Sequence, residues 1–554
     1  MAGAATRAAA GGRRADNDEW WRGGVIYQIY PRSFADQNGD GVGDLAGITA
    51  KLDHVARLGV DAIWLSPFFK SPMKDFGYDI ADYCDVDPIF GTLADFEQLV
   101  ARAHGLGLKV IVDQVMSHTS DQHAWFAESR VSRDNPRADW YVWSDPKDDG
   151  TPPNNWLSVF GGSAWKWDTR RLQYYLHNFL ASQPDLNFHC PAVTDALLDA
   201  SKFWLELGVD GFRLDAVNFC THDRRLRDNP PRGKPDGSDP SVTTVNPYAW
   251  QWHRYDKSQP ENLGYLERLR ALVDRYPNTT LVGEVADDDS LARVAEYTVR
   301  DRLHMAYCFE LFGTDTGAPH LHRVFERFAR IVGDGWPSWA LGNHDVARVA
   351  TRWGGADPDP RLPRLALALQ LTMRGSPCIY QGEELGLPEA SIGHADLQDP
   401  YGIEMWPEFK GRDGCRTPMP WLSAAPAGGF STAARTWLPV PAEHRALAVD
   451  VQEAQPDSLL KFYRQLLQWR RGLAPLVKGG LELLPVDDQV LAYVRSHGAE
   501  RVLCAFNFSG RPARWGLPAK LAAAMPDRAS GIAGAQIKEG SVAFEPWGGL
   551  VARL

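Results

Sequence analysis

Apolar residues along this chain fall into two alternating rhythms. Short β-branched or aliphatic runs read as buried strands: Val25-Ile-Tyr-Gln-Ile-Tyr30, stopped by Pro31, then Ala62-Ile-Trp-Leu65 and Leu108-Lys-Val-Ile-Val-Asp113. Between them, Ile48 to Leu58 and Leu93 to His104 repeat apolar positions at helical spacing, and Gly105 and Gly107 end the second helix. Further strands are predicted at Val209–Arg213, Thr280–Glu284, Met305–Tyr307, Trp339–Leu341 and Ile379–Gln381, which makes eight. Apolar strands alternating with helices mark parallel βαβ units. Eight such strands predict an α/β fold, a (β/α)8 TIM barrel. An open doubly wound sheet would carry a Gly-rich phosphate loop after its first strand, and this chain has none there.

The spacing places insertions in that barrel. Asp113 and Asp215 are 102 residues apart, far more than one βα unit needs, and the excess at 119–190 is rich in Trp, Asn, Pro and Gly. It reads as a small inserted domain after the third strand. A charged, Pro-rich stretch from His222 to Pro247 reads as a mobile flap, and 386–440 as another loop region. A helix at Ser458–Arg471 precedes short alternating runs such as Val490–Val494 and Val502–Phe506. These imply a C-terminal antiparallel β-sandwich at 475–554, leaving 19–118 and 191–474 as the barrel and 1–18 as a disordered tail.

Composition narrows the function. The 554 residues carry 59 basic and 70 acidic side chains, a net charge of −11, so nucleic acid is not an expected partner. No run of 18 apolar residues exists, which excludes an ordinary transmembrane helix, and MAGAATRAAAGGRR at the start lacks the apolar core of a secretory signal. Seven scattered cysteines without a CxxC pair point to reduced thiols and a cytoplasmic protein. Twenty-one Trp, 17 Tyr and 23 Phe suit either core packing or stacking on flat ligand faces.

Three carboxylates sit just after predicted strands: Asp215 in GVDGFRLDAV, Glu284 in TTLVGEV and Asp345 in LGNHD. In a barrel of this kind the C-terminal strand ends form the active face. Arg213 and Asp215 lie two apart on an extended segment and share one side of it. A guanidinium there keeps Asp215 ionised, as a nucleophile requires, while burial after an apolar strand raises Glu284 toward a general acid. Two carboxyls in opposite states, ~5–5.5 Å apart, are what retaining glycoside cleavage requires.

These residues and their neighbours resemble the α-amylase superfamily of retaining glycoside hydrolases, in its α-glucosidase and oligo-1,6-glucosidase branch, from about Trp20 to the C terminus. The motifs are Asp113…His118, Gln183-Pro-Asp-Leu-Asn187, Gly211-Phe-Arg-Leu-Asp215, Glu284, Asn343-His-Asp345 and Gly375-Ser-Pro-Cys-Ile-Tyr-Gln-Gly-Glu383. One departure is Ser117, where the family usually has Asn before His118. The resemblance implies Asp215 as nucleophile, Glu284 as acid/base and Asp345 as the group holding the 2- and 3-hydroxyls. It implies that Arg213 orients Asp215 and that His118 and His344 donate to sugar hydroxyls.

By the same resemblance, Tyr78 of Asp75-Phe-Gly-Tyr78 stacks on the glucosyl ring, and Asp75 binds the 4-hydroxyl and pairs with Arg412. Such a pair closes the pocket floor and makes the enzyme exo-acting; the alternative is an ordinary surface ion pair. Phe160 walls either the acceptor side or a domain contact. Ala216, following the nucleophile where 1,6-preferring members tend to have Val, tilts the expectation toward α-1,4 bonds. One or two methyls supply only about 1–3 kcal/mol of such discrimination.

The loop Asp36-Gln-Asn-Gly-Asp-Gly-Val-Gly-Asp44 offers oxygens from Asp36, Asn38, Asp40, Asp44 and the Val42 carbonyl. The set suits a structural Ca²⁺ or Mg²⁺, as the resemblance implies; otherwise it is an Asx/Gly turn. No organic cofactor is expected, and no HExxH or His-rich set supports a catalytic metal. The expected partners are maltose, short α-glucosides and acceptor sugars or alcohols, with no membrane and a monomer or homodimer. Transglucosylation, oligo-1,6-glucosidase action or a sucrose- or trehalose-directed isomerase stay open within the family. Outside it stands a non-catalytic ancillary protein, like transporter heavy subunits that resemble this barrel.

Overall fold

The computed structural model describes residues 19–235, 242–299, 301–355, 359–485 and 487–554. The expected tail at 1–18 and part of the expected flap, 236–241, lie outside the described residues. Eight strands form one parallel sheet: β1 (Ile26–Ile29), β2 (Ala62–Leu65), β3 (Lys109–Val115), β4 (Gly211–Asp215), β5 (Thr280–Val285), β6 (Met305–Cys308), β7 (Ser338–Ala340) and β8 (Ser376–Tyr380). They neighbour one another in the order β6-β5-β4-β3-β2-β1-β8-β7, and a parallel bridge from Ala306 to Pro337 joins the two ends into a nearly closed barrel. Around it lie α1 (Leu45–Leu58), α2 (Leu93–Gly105), α3 (Pro191–Glu206), α4 (Asn262–Val273), α5 (Ser290–Tyr297), α6 (Ala318–Val332), α7 (Leu362–Thr372) and α8 (Leu459–Arg471).

Local chemistry sets these boundaries. Asp44 caps α1 by accepting from the Gly47 N–H, and Gly59 ends the helix at φ +91°. Thr92 and Asp95 form a reciprocal capping box on α2. Some strand bounds differ from expectation. β4 runs two residues further than expected, so Asp215 ends the strand rather than following it, while β5 holds Glu284 as expected and adds Val285. β8 starts at Ser376, across Pro377.

Period-two alternation sorts the barrel interior into layers. Ile26, Ala62, Ile111, Val282, Met305, Ala340 and Cys378 pack together as an apolar plug. Two residues further along several of the same strands, hence on the same inward face, come Gln28, Trp64, Asp113, Glu284 and Tyr307. The strand register sets Arg213 beside Asp113 and Val282, and Glu284 beside Tyr307. A charged layer therefore sits on an apolar one.

The insertion between β3 and α3 holds a short helix, Ala124–Ser129, and an antiparallel sheet of Trp143–Ser144, Gln173–Leu176 and Trp165–Asp168. Trp156, Ala164, Trp165 and Leu176 form its own small core. A strand pair not foreseen in the sequence, Phe69–Lys70 with Asp82–Val86, arises between β2 and α2 and carries Asp75 and Tyr78 between its arms. At the C terminus, a short helix (Ala474–Lys478) precedes the first strand at Gly480, so the sheets begin some residues after the expected 475. Five antiparallel strands and a three-stranded sheet then enclose a separate apolar core. Arg495 ties this unit to the barrel by donating to the Thr372 carbonyl at 2.6 Å.

Trp204 of α3 anchors the unforeseen strand pair. Its ring stacks on Phe69 at 4.5 Å and its indole N–H donates to the Tyr83 carbonyl at 2.8 Å. Trp204→Ala should lower stability by about 3–5 kcal/mol, in the range of buried Trp truncations. The check is the shift in denaturation midpoint against a surface Trp250→Ala control.

Candidate functional site

Asp75, Tyr78, His118, Phe160, Asp215, Ala216, Glu284, Asp345 and Arg412 line one pocket of about 930 Å³, counted with its open mouth, at the C-terminal end of the strands. These come from six separate strand ends and the loops that follow them. Arg213 and His344 lie directly beneath. The structure thus gathers every residue that the sequence singled out for substrate chemistry.

Arg213 is the centre of the charged layer. It is 1% exposed and its Nη1 reaches Asp215 at 2.7 Å and Asp113 at 2.9 Å, while its Nη2 reaches Glu284 at 2.7 Å. The Tyr307 hydroxyl accepts from Arg213 Nη2 at 2.7 Å and donates to Glu284 Oε1 at 3.0 Å. The guanidinium lies 4.8 Å from the Trp64 ring centre. The sequence reading had the guanidinium keep Asp215 ionised and burial raise Glu284; instead the β4–β5 register brings Glu284 onto the same guanidinium, and burial raises Asp215 as well. Glu284 also accepts the Ala216 backbone N–H at 3.1 Å, because the chain leaves β4 through a left-handed Ala216 at φ +39°.

The electrostatics follow from burial. Burial pushes Asp215 and Glu284 each up to about 7, against the lowering pull of Arg213; Asp113 adds to the rise of Asp215, and Asp215 to that of Glu284. Carboxyls this close titrate together rather than singly. Burial likewise raises Asp113 to about 6. Asp345 goes the other way: burial acts to raise it, but His344, Arg412 and Arg416 outweigh that and hold its carboxyl below the usual range. Arg412 Nη1 stands 3.1 Å and Arg416 Nη2 2.9 Å from Asp345 Oδ1.

Arg412 also meets Asp75 at 3.1 Å and Asp399 at 2.8 Å, and lies 5.1 Å from the Phe160 ring centre. With both side chains at most 10% exposed, the Asp75–Arg412 pair is a buried wall of the pocket, not a surface contact. Gln183 of the inserted domain donates to Asp75 at 3.0 Å and approaches His118 Nε2 at 3.2 Å. Ser117, the departure noted above, sits 2.9 Å from His118 Nδ1 and so still positions that ring. Burial lowers His118 to about 4, leaving it neutral. His344 lies between Tyr30 and Tyr78, stacked on Tyr78 at 5.3 Å and 1°. The Tyr78 hydroxyl is engaged by His344 Nε2 at 2.5 Å and Asp113 at 3.1 Å.

Several pocket residues escaped the sequence reading. Tyr307 carried a signal, as the polar end of a predicted strand; Asp399, Tyr401, Phe409 and Arg416 lie in the 386–440 loops, where spacing carries none. Phe179, Phe219, Tyr248 and Lys257 complete the outer wall.

In the loop 36–44, Asp36 accepts from Gly39 and Gly41 N–H groups, Asp40 from Val42, and Asp44 from Gln37, Asn38 and Gly47. This is the Asx/Gly-turn geometry held open in the sequence reading. Among the described residues, no three His, Cys, Asp or Glu side chains converge as a metal cage. The donor set itself, all oxygen, fits a hard divalent cation rather than a transition metal.

The raised carboxyls have a consequence for stability. Groups whose pKa is higher folded than unfolded stabilise the fold below their unfolded values near 4, and that contribution is lost as pH rises through about 7. Asp215→Asn removes one member of the pair. Its apparent Tm should match the wild type at pH 4 and exceed it by about 2 °C at pH 8, read from melting curves across that range.

Comparison with known proteins agrees with this geometry. A model described as "Alpha amylase, catalytic domain" matches residues 28–479, and one described as "Maltogenic Amylase, C-terminal domain" matches 481–549. The chain is 54% identical over 541 residues to a "Probable alpha-glucosidase" of Rhizobium meliloti (strain 1021), covering 97% of each. It is 38% identical to an "Oligo-1,6-glucosidase" of Heyndrickxia coagulans, covering 89% of this chain and 92% of the relative. Among solved structures, an "alpha-glucosyl transfer enzyme, XgtA" superposes with TM-score 0.94 at 55% identity, over 96% of this chain and 99% of that one. The trehalulose synthase MutB from Pseudomonas mesoacidophila MX-45 superposes with TM-score 0.84 at 32% identity, over 96% and 99%. Among the described residues no helix is long and apolar enough to cross a membrane. The chain belongs to the α-amylase family of glycoside hydrolases and carries both its catalytic barrel and a maltogenic-amylase-type C-terminal domain.

Proposed function

We propose that this enzyme is a retaining, exo-acting α-glucosidase that cleaves α-1,4 bonds of maltose and short α-glucosides and passes part of its glucosyl groups to other hydroxyls. The observation that carries the reading is the Asp215–Arg213–Glu284 bridge at the head of a pocket walled by Asp75 and Arg412. Two carboxyls that share one proton supply, in one site, the nucleophile and the acid that retention needs.

In the first step an Asp215 oxygen bonds to the anomeric carbon as the bond to the leaving oxygen breaks, and Glu284 gives that oxygen its proton. In the second, water or an acceptor hydroxyl attacks the anomeric carbon, Glu284 takes its proton, and the bond to Asp215 breaks. Arg213 holds both carboxylates in register throughout. Asp345, kept ionised by Arg412 and Arg416, accepts from the ring hydroxyls, and His118 and His344 supply neutral imidazoles beside them. Tyr78 offers its ring to the sugar's C–H face. Asp75 takes the outermost hydroxyl, and the wall it forms with Arg412 leaves room for one glucosyl unit. Beyond the bond to be cleaved the wall is aromatic, with Phe160, Phe179, Phe219 and Tyr401, which favours bound acceptors over free water. The two relatives named for glucosyl transfer and trehalulose synthesis support that side of the reading.

Following the anomeric signals of maltose and isomaltose by NMR from the first seconds tests this. Prompt α-glucose from maltose with less from isomaltose, and new α-linked products, is the expected result. Faster isomaltose cleavage identifies an oligo-1,6-glucosidase, and β-glucose as first product rejects retention. Asp215→Asn should lose activity at least ~10³-fold with its fold intact.

The second part of the proposal is structural: Asp36, Asn38, Asp40, Asp44 and the Val42 carbonyl take Ca²⁺ or Mg²⁺ through lone pairs not spent on the loop's own N–H groups. Such an ion neutralises crowded carboxylates and locks the loop. Calcium should raise the apparent Tm of EDTA-stripped protein and leave an Asp36→Asn/Asp40→Asn variant unchanged.

A further inference from the structure

Lys257 stands apart from the rest of the pocket wall. It is 4% exposed, yet among the described residues its Nζ makes a single hydrogen bond, to the Tyr248 hydroxyl at 3.1 Å. The Phe219 ring centre lies at 4.7 Å and that of Tyr248 at 5.5 Å, and Asp256, Asp287 and Asp288 attract the ammonium through space without hydrogen-bonding to it. An ammonium carries three donors, and burying them without acceptors is costly. Cation–π contact offsets part of that cost but satisfies no N–H direction. Two donors therefore remain for an oxygen that arrives in the pocket.

The position is built, not incidental. Ser258, the next residue, is held in the left-handed region at φ +56°. Its N–H donates to the Asn218 carbonyl at 2.6 Å, and its hydroxyl accepts from Asn218 Nδ2 at 3.0 Å and donates to Asp287. Asn218 lies three residues beyond Asp215, and Asp287 three beyond Glu284. Asn218 also donates to the Ala286 carbonyl at 2.8 Å, closing the link between the two strand ends. A backbone conformation of this kind costs about 1–3 kcal/mol and persists where surroundings enforce it. Here it fixes Lys257 relative to both catalytic carboxylates at once. The ammonium's neighbours Tyr248 and Phe219 line the pocket with it, and the Phe219 ring packs on Phe179 at 5.2 Å.

We propose that Lys257 is a specificity-determining residue of the acceptor side. Its Nζ donates to a hydroxyl oxygen of the sugar or polyol that departs with, or attacks, the anomeric carbon. This rests on the α-glucosidase reading above. The aromatic wall alone would receive any apolar alcohol equally well; Lys257 biases the site toward polyhydroxylated partners.

The test compares Lys257→Met with the wild type on two donors that share the glucosyl group. In maltose the leaving group carries hydroxyls; in α-glucosyl fluoride nothing occupies the acceptor side during the first step. Lys257→Met should lower kcat/KM for maltose ~10–100-fold, mainly through KM, and change α-glucosyl fluoride turnover less than ~3-fold. With α-glucosyl fluoride as donor, transfer to added glucose should fall relative to hydrolysis, and Lys257→Arg should restore part of it. Equal losses on both donors would make Lys257 a general support of the pocket and overturn the proposal, as would no loss on either. A wild type that turns over α-glucosyl fluoride but not maltose would also overturn it. A wild type inactive on both would reject the α-glucosidase reading itself, and the proposal with it.

Discussion

One buried guanidinium organises this molecule's chemistry. Arg213 is closed off inside the barrel mouth and touches Asp113, Asp215, Glu284 and Tyr307, which stand on four different strands. A charge so placed is tolerable only with several opposite partners, and the carboxylates are tolerable only with it. Removing the guanidinium would leave three buried carboxylates uncompensated. The barrel must therefore close in one register for the cluster to exist, and the apolar plug beneath supplies the rigid floor that holds that register.

From this cluster outward the pocket divides by charge. Asp345 meets His344, Arg412 and Arg416, which outweigh its burial and hold its carboxyl below the usual range. Asp75 also pairs with Arg412, yet burial still raises it to about 6. Asp215 and Glu284 share a single guanidinium with Asp113, so burial prevails there and raises both to about 7. A carboxylate that stays charged suits recognition of neutral hydroxyls, while raised carboxyls keep a proton available near neutral pH. The balance of burial against nearby cations separates them.

The walls come from parts of the chain with no periodicity. The strand pair at 69–86 brings Asp75 and Tyr78, the inserted domain brings Gln183, Phe160 and Phe179, and the loops after β8 bring Asp399, Tyr401 and Arg412. Phe160 illustrates the convergence: it lines the pocket, packs against Tyr401 at 5.1 Å and underlies Arg412, so it is at once wall and domain contact.

Eight strands, their helices, the insertion after the third strand and the C-terminal sheets were all legible in the sequence. Each rests on local patterning, period two against 3.6, that any packed structure must respect. The carboxylates proposed as catalytic were legible too, since strand ends and a recognisable motif set mark them. What the sequence by itself could not determine was pairing across strands. That Arg213 engages Glu284 as well as Asp215 depends on the β4–β5 register, which only closure of the barrel decides. The same holds for Lys257, whose place on the wall follows from Ser258 bonding to the ends of two strands. Side-chain type and local period are written in the chain, but the number of opposite charges a buried group meets is a property of the packed fold, because it is set by residues far apart in sequence.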